Sequence, residues 1–300
     1  MKIKIIVNPY ANRWNGRKKI PDISKAFQDI GLDHDLYVLP AAGLGSLAAQ
    51  RSAEEGYDVV VAAGGDGTVN EVVNGLIAFS GDRPTIPLGV LPIGTGNDFN
   101  DMSGLPRDLH ESAKLIAAGR TKQVDAGQVT IDGSRHYFGN NCALAMEPMV
   151  TIENINIKRL SGNIRYIVAL LIALRKLKAW HFSFSWSGGS FEGSIILLSV
   201  CNSPRTGGVF PMSPNALMDD GLFDVVWALD MPLRNVLMLL PKLFRGTHLQ
   251  HPDVSRKQTD RLEVRSSPGT PVHADGEVIS RSATHLLFEV LPGKITVITK

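Results

Sequence analysis

Short apolar runs recur through the first third of the chain, each followed by a stretch with helical spacing. Strands are expected at Ile3–Val7, Leu36–Leu39, Val59–Ala63 and Leu88–Leu91, with helices at about Ile20–Ile30, Ser46–Glu55 and Val69–Ala78. Near-continuous apolar strands alternating with helices imply a parallel sheet covered on both faces. "DLHE" at Asp108–Glu111 has the form of a capping box, opening a helix that Gly119 closes.

After Lys122 the rhythm changes. Strand-like runs join at Asp132-Gly133 and again around Gly188-Gly189, both hairpin signals. Further runs at Leu222–Leu229, Asp260–Ser266, Pro271–Ile279 and His285–Val290 continue a mostly antiparallel β pattern. Helical segments interrupt it at about Gly162–Leu177 and Leu233–Phe244. The expected fold is an α/β domain with a parallel sheet over residues 1–127, then a β-rich, mostly antiparallel sandwich over 128–290. A terminal strand within 291–300, at Ile295–Ile298, is placed to return to the first domain.

Composition narrows the function classes. With 300 residues, 44% hydrophobic and 20% charged, the chain is long enough for two cores and too apolar for disorder. A net charge of +2 argues against a nucleic-acid binder. Cys142 and Cys201 sit in apolar runs and read as buried thiols of a reducing compartment, a disulfide being the alternative. The most membrane-like stretch, Arg165–Lys178, is uncharged only over Tyr166–Leu174, under half of the ~20 residues a span needs. The N-terminus reads as a strand and not a signal peptide, so a cytoplasmic protein is expected. His248 and His251 stand three apart without a flanking carboxylate or cysteine, and read as a surface pair.

The chemistry concentrates in "VVVAAGGDGTVNEVVNG", Val59 to Gly75. Glycines between an apolar strand and a helix let backbone N–H groups approach phosphate oxygens, and the helix N-terminus adds positive potential. Neither the P-loop nor the GxGxxG pattern is present. A second strand-to-glycine segment, "LPIGTGNDF" at Leu91–Phe99, emerges on the same sheet edge and suits the other side of one nucleotide. Asp66 would repel a polyanion by itself. It is left with three readings: holding Mg²⁺ against phosphates, orienting an acceptor hydroxyl, or fixing its own glycine turn.

Gly64-Gly65-Asp66-Gly67-Thr68 followed by Asn70-Glu71-Val72, with Pro92-x-Gly94-Thr95-Gly96-Asn97-Asp98-Phe99, resembles the diacylglycerol kinase catalytic-domain family. Asn8-Pro9, "PNALMDDGLFDVV" at Pro214–Val226 and "HADGEVI" at His273–Ile279 extend the resemblance over nearly the whole chain. It implies an NAD-kinase-like α/β domain before the β-rich one. It further implies an ATP- and Mg²⁺-dependent lipid kinase acting in an interdomain cleft on a diacylglycerol-like hydroxyl.

By that resemblance Asn8, Gly64, Gly65, Asp66, Gly67, Thr68, Val69, Asn70, Gly94, Thr95, Gly96 and Asn97 meet the nucleotide. Asp275 is the general base, with Glu277 the fallback and Asp66 the rival. Asp220, with the carbonyls of Leu217 and Leu222, holds a structural Mg²⁺ that Asp125 joins through water; Glu71 and Asp98 support the loops. The bland alternatives are a hairpin turn at Asp275-Gly276 and a plain turn at Asp219–Gly221.

The chain departs from the family at "NPYANRWNGRKK", which delays the glycine to Gly16 and inserts Trp14, and at Leu39-Pro40, where a threonine is common. A lipid substrate demands peripheral contact with a membrane, at its inner face. The helix at Gly162–Leu177, with Arg165, Arg175, Lys176 and Lys178 near its ends, is a candidate, although packing on the β-rich core is preferred for it. A soluble-metabolite kinase and a non-catalytic nucleotide-binding regulator are the rival functions. The oligomeric state is left open, a homodimer included.

Overall fold

Strand β1 (Ile3–Val7) buries apolar side chains on both faces, which only a strand covered from both sides tolerates. In the computed structural model, which describes residues 1–157, 160, 162–208 and 210–300, helix α1 (Ala11–Gln28) and strand β2 (Asp35–Val38) follow. The side chains at 13, 14, 162 and 163 lie outside the described residues, Trp14 among them. Next come α2 (Gly45–Glu54), β3 (Val59–Gly64), α3 (Asp66–Ser80), β4 (Leu88–Pro92), α4 (Asp98–Met102), α5 (Leu109–Ala118) and β5 (Thr121–Ile131). β1 pairs in parallel with β2 on one side and β3 on the other, and β3 pairs in parallel with β4. The chain therefore leaves β1 for one neighbour and returns to the other, the switch point where α/β sheets bind ligands.

The chain continues through β6 (Ser134–Phe138), β7 (Asn141–Ala145), α6 (Met146–Asn156), α7 (Gly162–Arg175), β8 (Trp180–Trp186), β9 (Gly189–Cys201) and β10 (Phe223–Leu229). It ends with α8 (Leu233–Phe244), β11 (Val254–Thr259), β12 (Arg261–Ala274) and β13 (Glu277–Ile298). Contacts divide it into two compact units, Met1–Ala126 with Pro292–Lys300, and Gly127–Leu291. In the second unit the paired strands are antiparallel, with β7 and β8 occupying successive stretches between β9 and β12. Along β10, Phe223, Val225 and Trp227 face one apolar core while Val226 and Ala228 face another. Helix α7 packs Ala169, Leu170, Ala173 and Leu174 into that second core and leaves Ile164, Ile167 and Leu171 exposed. No helix of the described residues is long and apolar enough to cross a membrane.

The N-terminal α/β sheet and the β-rich second half are as the sequence pattern predicts, and so is the cap of α5. There Asp108 accepts the Glu111 N–H at 3.0 Å and Gly119 is left-handed at φ 64°. The last residues of β13 pair in parallel with β4 through Val297 and Leu88, within the first unit. Lys294, buried, fastens it: its ammonium donates to Ser80 Oγ at 3.0 Å and to the carbonyls of Gly81 and Arg83, past the end of α3.

Three expectations need correction. Helix α1 begins at Ala11, about nine residues before its expected start. Asn12, Asn15 and Gly16 are poor helix formers, but the turn they form packs on the end of β1. A Cβ at Gly16 would stand 2.4 Å from the Asn8 carbonyl oxygen, so the delayed glycine is required by this contact. Helix α6 is not among the expected elements, because its β-branched residues and Pro148 disguise it. Ala145, at φ 69°, turns the chain sharply out of β7 into it.

His248 is the third correction, being 3% exposed. Its Nε2 donates to the Met212 carbonyl at 2.9 Å. Burial holds its pKa below the usual histidine value, so near neutrality the ring stays uncharged. The unfolded chain then binds more protons between that lowered pKa and about 6.5, and folding weakens as pH falls through this window. We expect the melting temperature of the wild type to drop more than that of His248→Gln between pH 7.5 and 5.5. Equal drops in a thermal melt would show that the ring does not carry this proton linkage.

Candidate active site

Gly64 ends β3, Gly65 caps α3, and Asp66 opens its first turn, so the glycine loop is mostly a helix N-terminus. Gly64 is held bare by Thr68: a Cβ there would stand 2.2 Å from Thr68 Oγ1. Thr68 in turn accepts from Asn8 Nδ2 at 2.9 Å, joining the ends of β1 and β3 at the switch point. The second loop lies directly on the first. A Cβ at Gly94 would fall 2.3 Å from Gly65 Cα, and the N–H groups of Ile93 and Gly94 both reach the Gly64 carbonyl at 3.0 Å.

Asp66 laces the two loops together. Its Oδ2 accepts the Asn97 N–H at 2.7 Å and its Oδ1 the Phe99 N–H at 3.1 Å. Burial pushes its pKa up; the N–H groups of Phe99, Asn97 and Asp98 pull against that without cancelling it. Asn97 is left-handed at φ 63°, and its side chain closes on Gly94, accepting its N–H at 3.2 Å and donating to its carbonyl at 3.1 Å.

Around this core the other predicted residues divide. Thr95 is exposed at the loop tip, Gly67, Asn70 and Gly96 are half-buried, and Val69 is buried and offers only its backbone. Glu71 braces α2, accepting the N–H groups of Gly43 at 3.1 Å and Gly45 at 2.6 Å. Asp98 is buried at the start of α4, and Asp125 accepts the Gly293 N–H at 2.7 Å. Arg107, which the sequence did not single out, grips Asp101 and donates to the Gly96 carbonyl at 3.2 Å. Tyr10 donates its hydroxyl to the Pro40 carbonyl at 2.7 Å, bridging the two places where the chain departs from the family pattern.

In the second unit, Asp275 and Gly276 form the two-residue turn between β12 and β13, with φ of 47° and 84°. The Asp275 carboxylate sits in a nest of backbone donors: Gly139 N–H reaches Oδ2 at 2.8 Å, and Asn140 and Asn141 reach Oδ1 at 2.9 and 3.0 Å. Glu277 is exposed beside it. Asp220 accepts the Leu222 N–H at 3.0 Å, an aspartate turn leading into β10, and Leu217 is exposed.

Behind the Asp275 turn lies a buried polar cluster invisible in the sequence. Gly276 N–H donates to His273 Nδ1 at 3.1 Å, and His273 Nε2 stands 3.4 Å from Glu147 Oε1. Asn141 Nδ2 and Thr206 Oγ1 donate to that same oxygen at 2.9 and 2.6 Å. Burial pushes the Glu147 carboxyl up, but His273 and these donors outweigh it and hold the pKa below its ordinary value. Glu147 also lines a cavity of about 90 Å³, walled mostly by apolar side chains of α6, α7, α8, β9 and β10. Cys142 and Cys201 are free and buried, and burial raises both thiols.

The chain is similar to known proteins along most of its length. A profile of the diacylglycerol kinase catalytic domain matches residues 2–129, and one of the YegS C-terminal NAD kinase beta sandwich-like domain matches residues 145–299. The diacylglycerol kinase of Staphylococcus aureus (strain bovine RF122 / ET3-1) is 30% identical over 277 residues, 92% of this chain and 86% of its own. That of Bacillus subtilis (strain 168) is 30% identical over 278 residues, 92% of this chain and 89% of its own. A solved structure from Bacillus anthracis str. Sterne superposes with a TM-score of 0.78 at 25% identity, covering 100% of this chain and 97% of that one.

Proposed function

Because this chain belongs to the diacylglycerol kinase family, a family of lipid kinases, we propose that it transfers the γ-phosphoryl group of ATP to the hydroxyl of a diacylglycerol-like lipid. The observation that carries this reading is the aliphatic cavity of the second unit, whose polar wall residue Glu147 shares Asn141 with the Asp275 carboxylate. An alkyl chain seated there leaves its polar end toward the group that would take the hydroxyl proton.

The paired glycine loops of the first unit supply bare backbone and a helix N-terminus for the phosphates, with Asn8, Thr68 and Thr95 as hydroxyl and amide partners. Asp66 and Asp220 offer carboxylate oxygen, the donor type that suits Mg²⁺. Magnesium, when bound, neutralises phosphate charge as the phosphoryl group moves. Asp275 accepts the acceptor proton, its three N–H partners aiming the carboxylate. Membrane contact is assigned to Ile167 and Leu171 of α7 and Leu237 and Met238 of α8. These residues are exposed on the outer sides of helices whose inner sides line the cavity.

Purified protein incubated with γ-labelled ATP, Mg²⁺ and dioctanoylglycerol in mixed micelles is expected to yield labelled phospholipid. NAD in place of the lipid should remain unlabelled. Label in NAD, or ATP binding with no label in any lipid extract, would overturn the assignment.

A further inference from the structure

The polar cluster behind the Asp275 turn is costly to bury, and its bonds lead to that turn. Glu147, Asn141 and His273 are all buried. Stability alone does not explain a buried carboxylate, since well-packed apolar side chains in such a place are often as stable or more so. Two routes connect Glu147 to Asp275. In the first, Asn141 Nδ2 donates to Glu147 Oε1 at 2.9 Å, while the Asn141 main chain grips Asp275 twice. Its N–H reaches Asp275 Oδ1 at 3.0 Å, and its carbonyl accepts the Asp275 N–H at 2.9 Å.

The second route runs through His273. The ladder of β12 and β13 closes at Ala274 and Glu277, so the Gly276 N–H lies beyond it and takes its partner elsewhere. It donates to His273 Nδ1 at 3.1 Å, so that nitrogen carries no proton. An imidazole keeps at least one proton, which is then on Nε2, the atom standing 3.4 Å from Glu147 Oε1. Glu147 is ionised near neutrality, its pKa lying below the ordinary value, and so presents only lone pairs to Nε2. The opposite tautomer would set two N–H groups against each other at Gly276 and a lone pair against a carboxylate at Glu147. Glu147 therefore selects the one form of His273 that can hold the turn. Asp275 stands there at φ 47°, a conformation that a residue with a Cβ adopts rarely.

We propose that His273 and Glu147 are positioning residues for Asp275: the Glu147 carboxylate fixes the His273 tautomer, and the bare Nδ1 fixes the Asp275-Gly276 turn, so that the Asp275 carboxylate keeps one direction. In this role both act through Asp275 and neither touches a substrate. The inference rests on the lipid-kinase reading for the reaction that this direction serves, and on the geometry alone for the turn.

The test compares two replacements of His273. In His273→Asn the side-chain oxygen falls near the place of Nδ1 and still accepts the Gly276 N–H, whereas His273→Leu has no acceptor. With micellar dioctanoylglycerol, His273→Leu should lose about tenfold to a hundredfold in kcat of the folded fraction, the effect of a reacting group displaced by about 1 Å. KM for ATP and for the lipid should stay within about threefold of wild type, and His273→Asn should recover kcat to within about threefold. Exchange of the Gly276 amide gives a readout without turnover: at least about tenfold faster in His273→Leu, and close to wild type in His273→Asn. Wild-type kcat in the folded fraction of His273→Leu, or equal losses in both variants, would overturn the inference. Should His273→Leu fail to fold, the nitrogen-15 spectrum of His273 in the wild type at the assay pH decides: a bare Nδ1 supports the inference and a protonated Nδ1 overturns it. Absence of phosphoryl transfer from the wild type to any lipid would sink the kinase reading alone, and the Gly276 exchange pattern would still decide whether His273 holds the turn.

Discussion

Asp275→Asn is expected to lose turnover by about a hundredfold to ten-thousandfold, the usual contribution of a positioned general base. The same variant should also melt at a lower temperature. Its carboxylate accepts three backbone N–H groups, and an amide must turn a donor toward at least one of them. Losing one such bond to a charged group costs about 1.5–3 kcal/mol, several degrees in a domain of this size. Nucleotide affinity should stay intact, since the glycine loops proposed to hold the phosphates belong to the other unit. The two losses separate two roles for Asp275. If kcat, corrected for the folded fraction at the assay temperature, returns to wild type, Asp275 is a brace of the turn and another group takes the proton. If kcat remains depressed in the folded fraction, Asp275 acts on the acceptor.

The second large effect is expected at Gly94. An alanine there would place its Cβ 2.3 Å from Gly65 Cα and 2.8 Å from Gly65 N, backbone atoms that cannot rotate away. The loops must separate, breaking the bonds from Ile93 and Gly94 to the Gly64 carbonyl and pulling Asn97 and Phe99 off Asp66. ATP binding should weaken by more than about tenfold and the melting temperature should fall, since overpacking costs about 1–3 kcal/mol. Gly96→Ala is the matched comparison. Its Cβ would meet only Asp66 Oδ2, at 2.8 Å, the far end of a side chain. A milder loss in Gly96→Ala than in Gly94→Ala, by ATP titration and thermal melt, is the expected order. The reverse order would show that Asp66's orientation, and not the loop-on-loop contact, governs nucleotide binding.

What could be read from the sequence was whatever depends on local chemistry. Apolar β1 and β3 announce a doubly covered sheet, and Asp132-Gly133 and Asp275-Gly276 announce two-residue turns because both positions need positive φ. The loops at Gly64 and Gly94 were legible as glycine clusters, but their mutual contact was not, since nothing local links residues thirty positions apart. Asp66 illustrates the limit. Side-chain-to-backbone bonding was one of its three readings, and the carboxylate does bond backbone, yet in the other loop and not only its own turn. Glu147, His273 and Asn141 converge from α6, β12 and β7, so only the sheet order brings them together. His248 is hidden for the same reason: Thr247, Gln250 and His251 around it are polar, and its burial comes from Met212 and the helix α8 packed near it.

The return of β13 to the first unit governs how the chain can be made. Strand β4 acquires its outer partner only when residue 297 is available, after all of the second unit has been synthesised. Until then the first unit presents β4 as an open edge of a parallel sheet, the kind of surface that recruits wrong partners. Lys294 arrives with that strand and settles on the carbonyls past the end of α3, so helix and edge are secured in one late event. On the ribosome this protein has its glycine loops early and their sheet closed last.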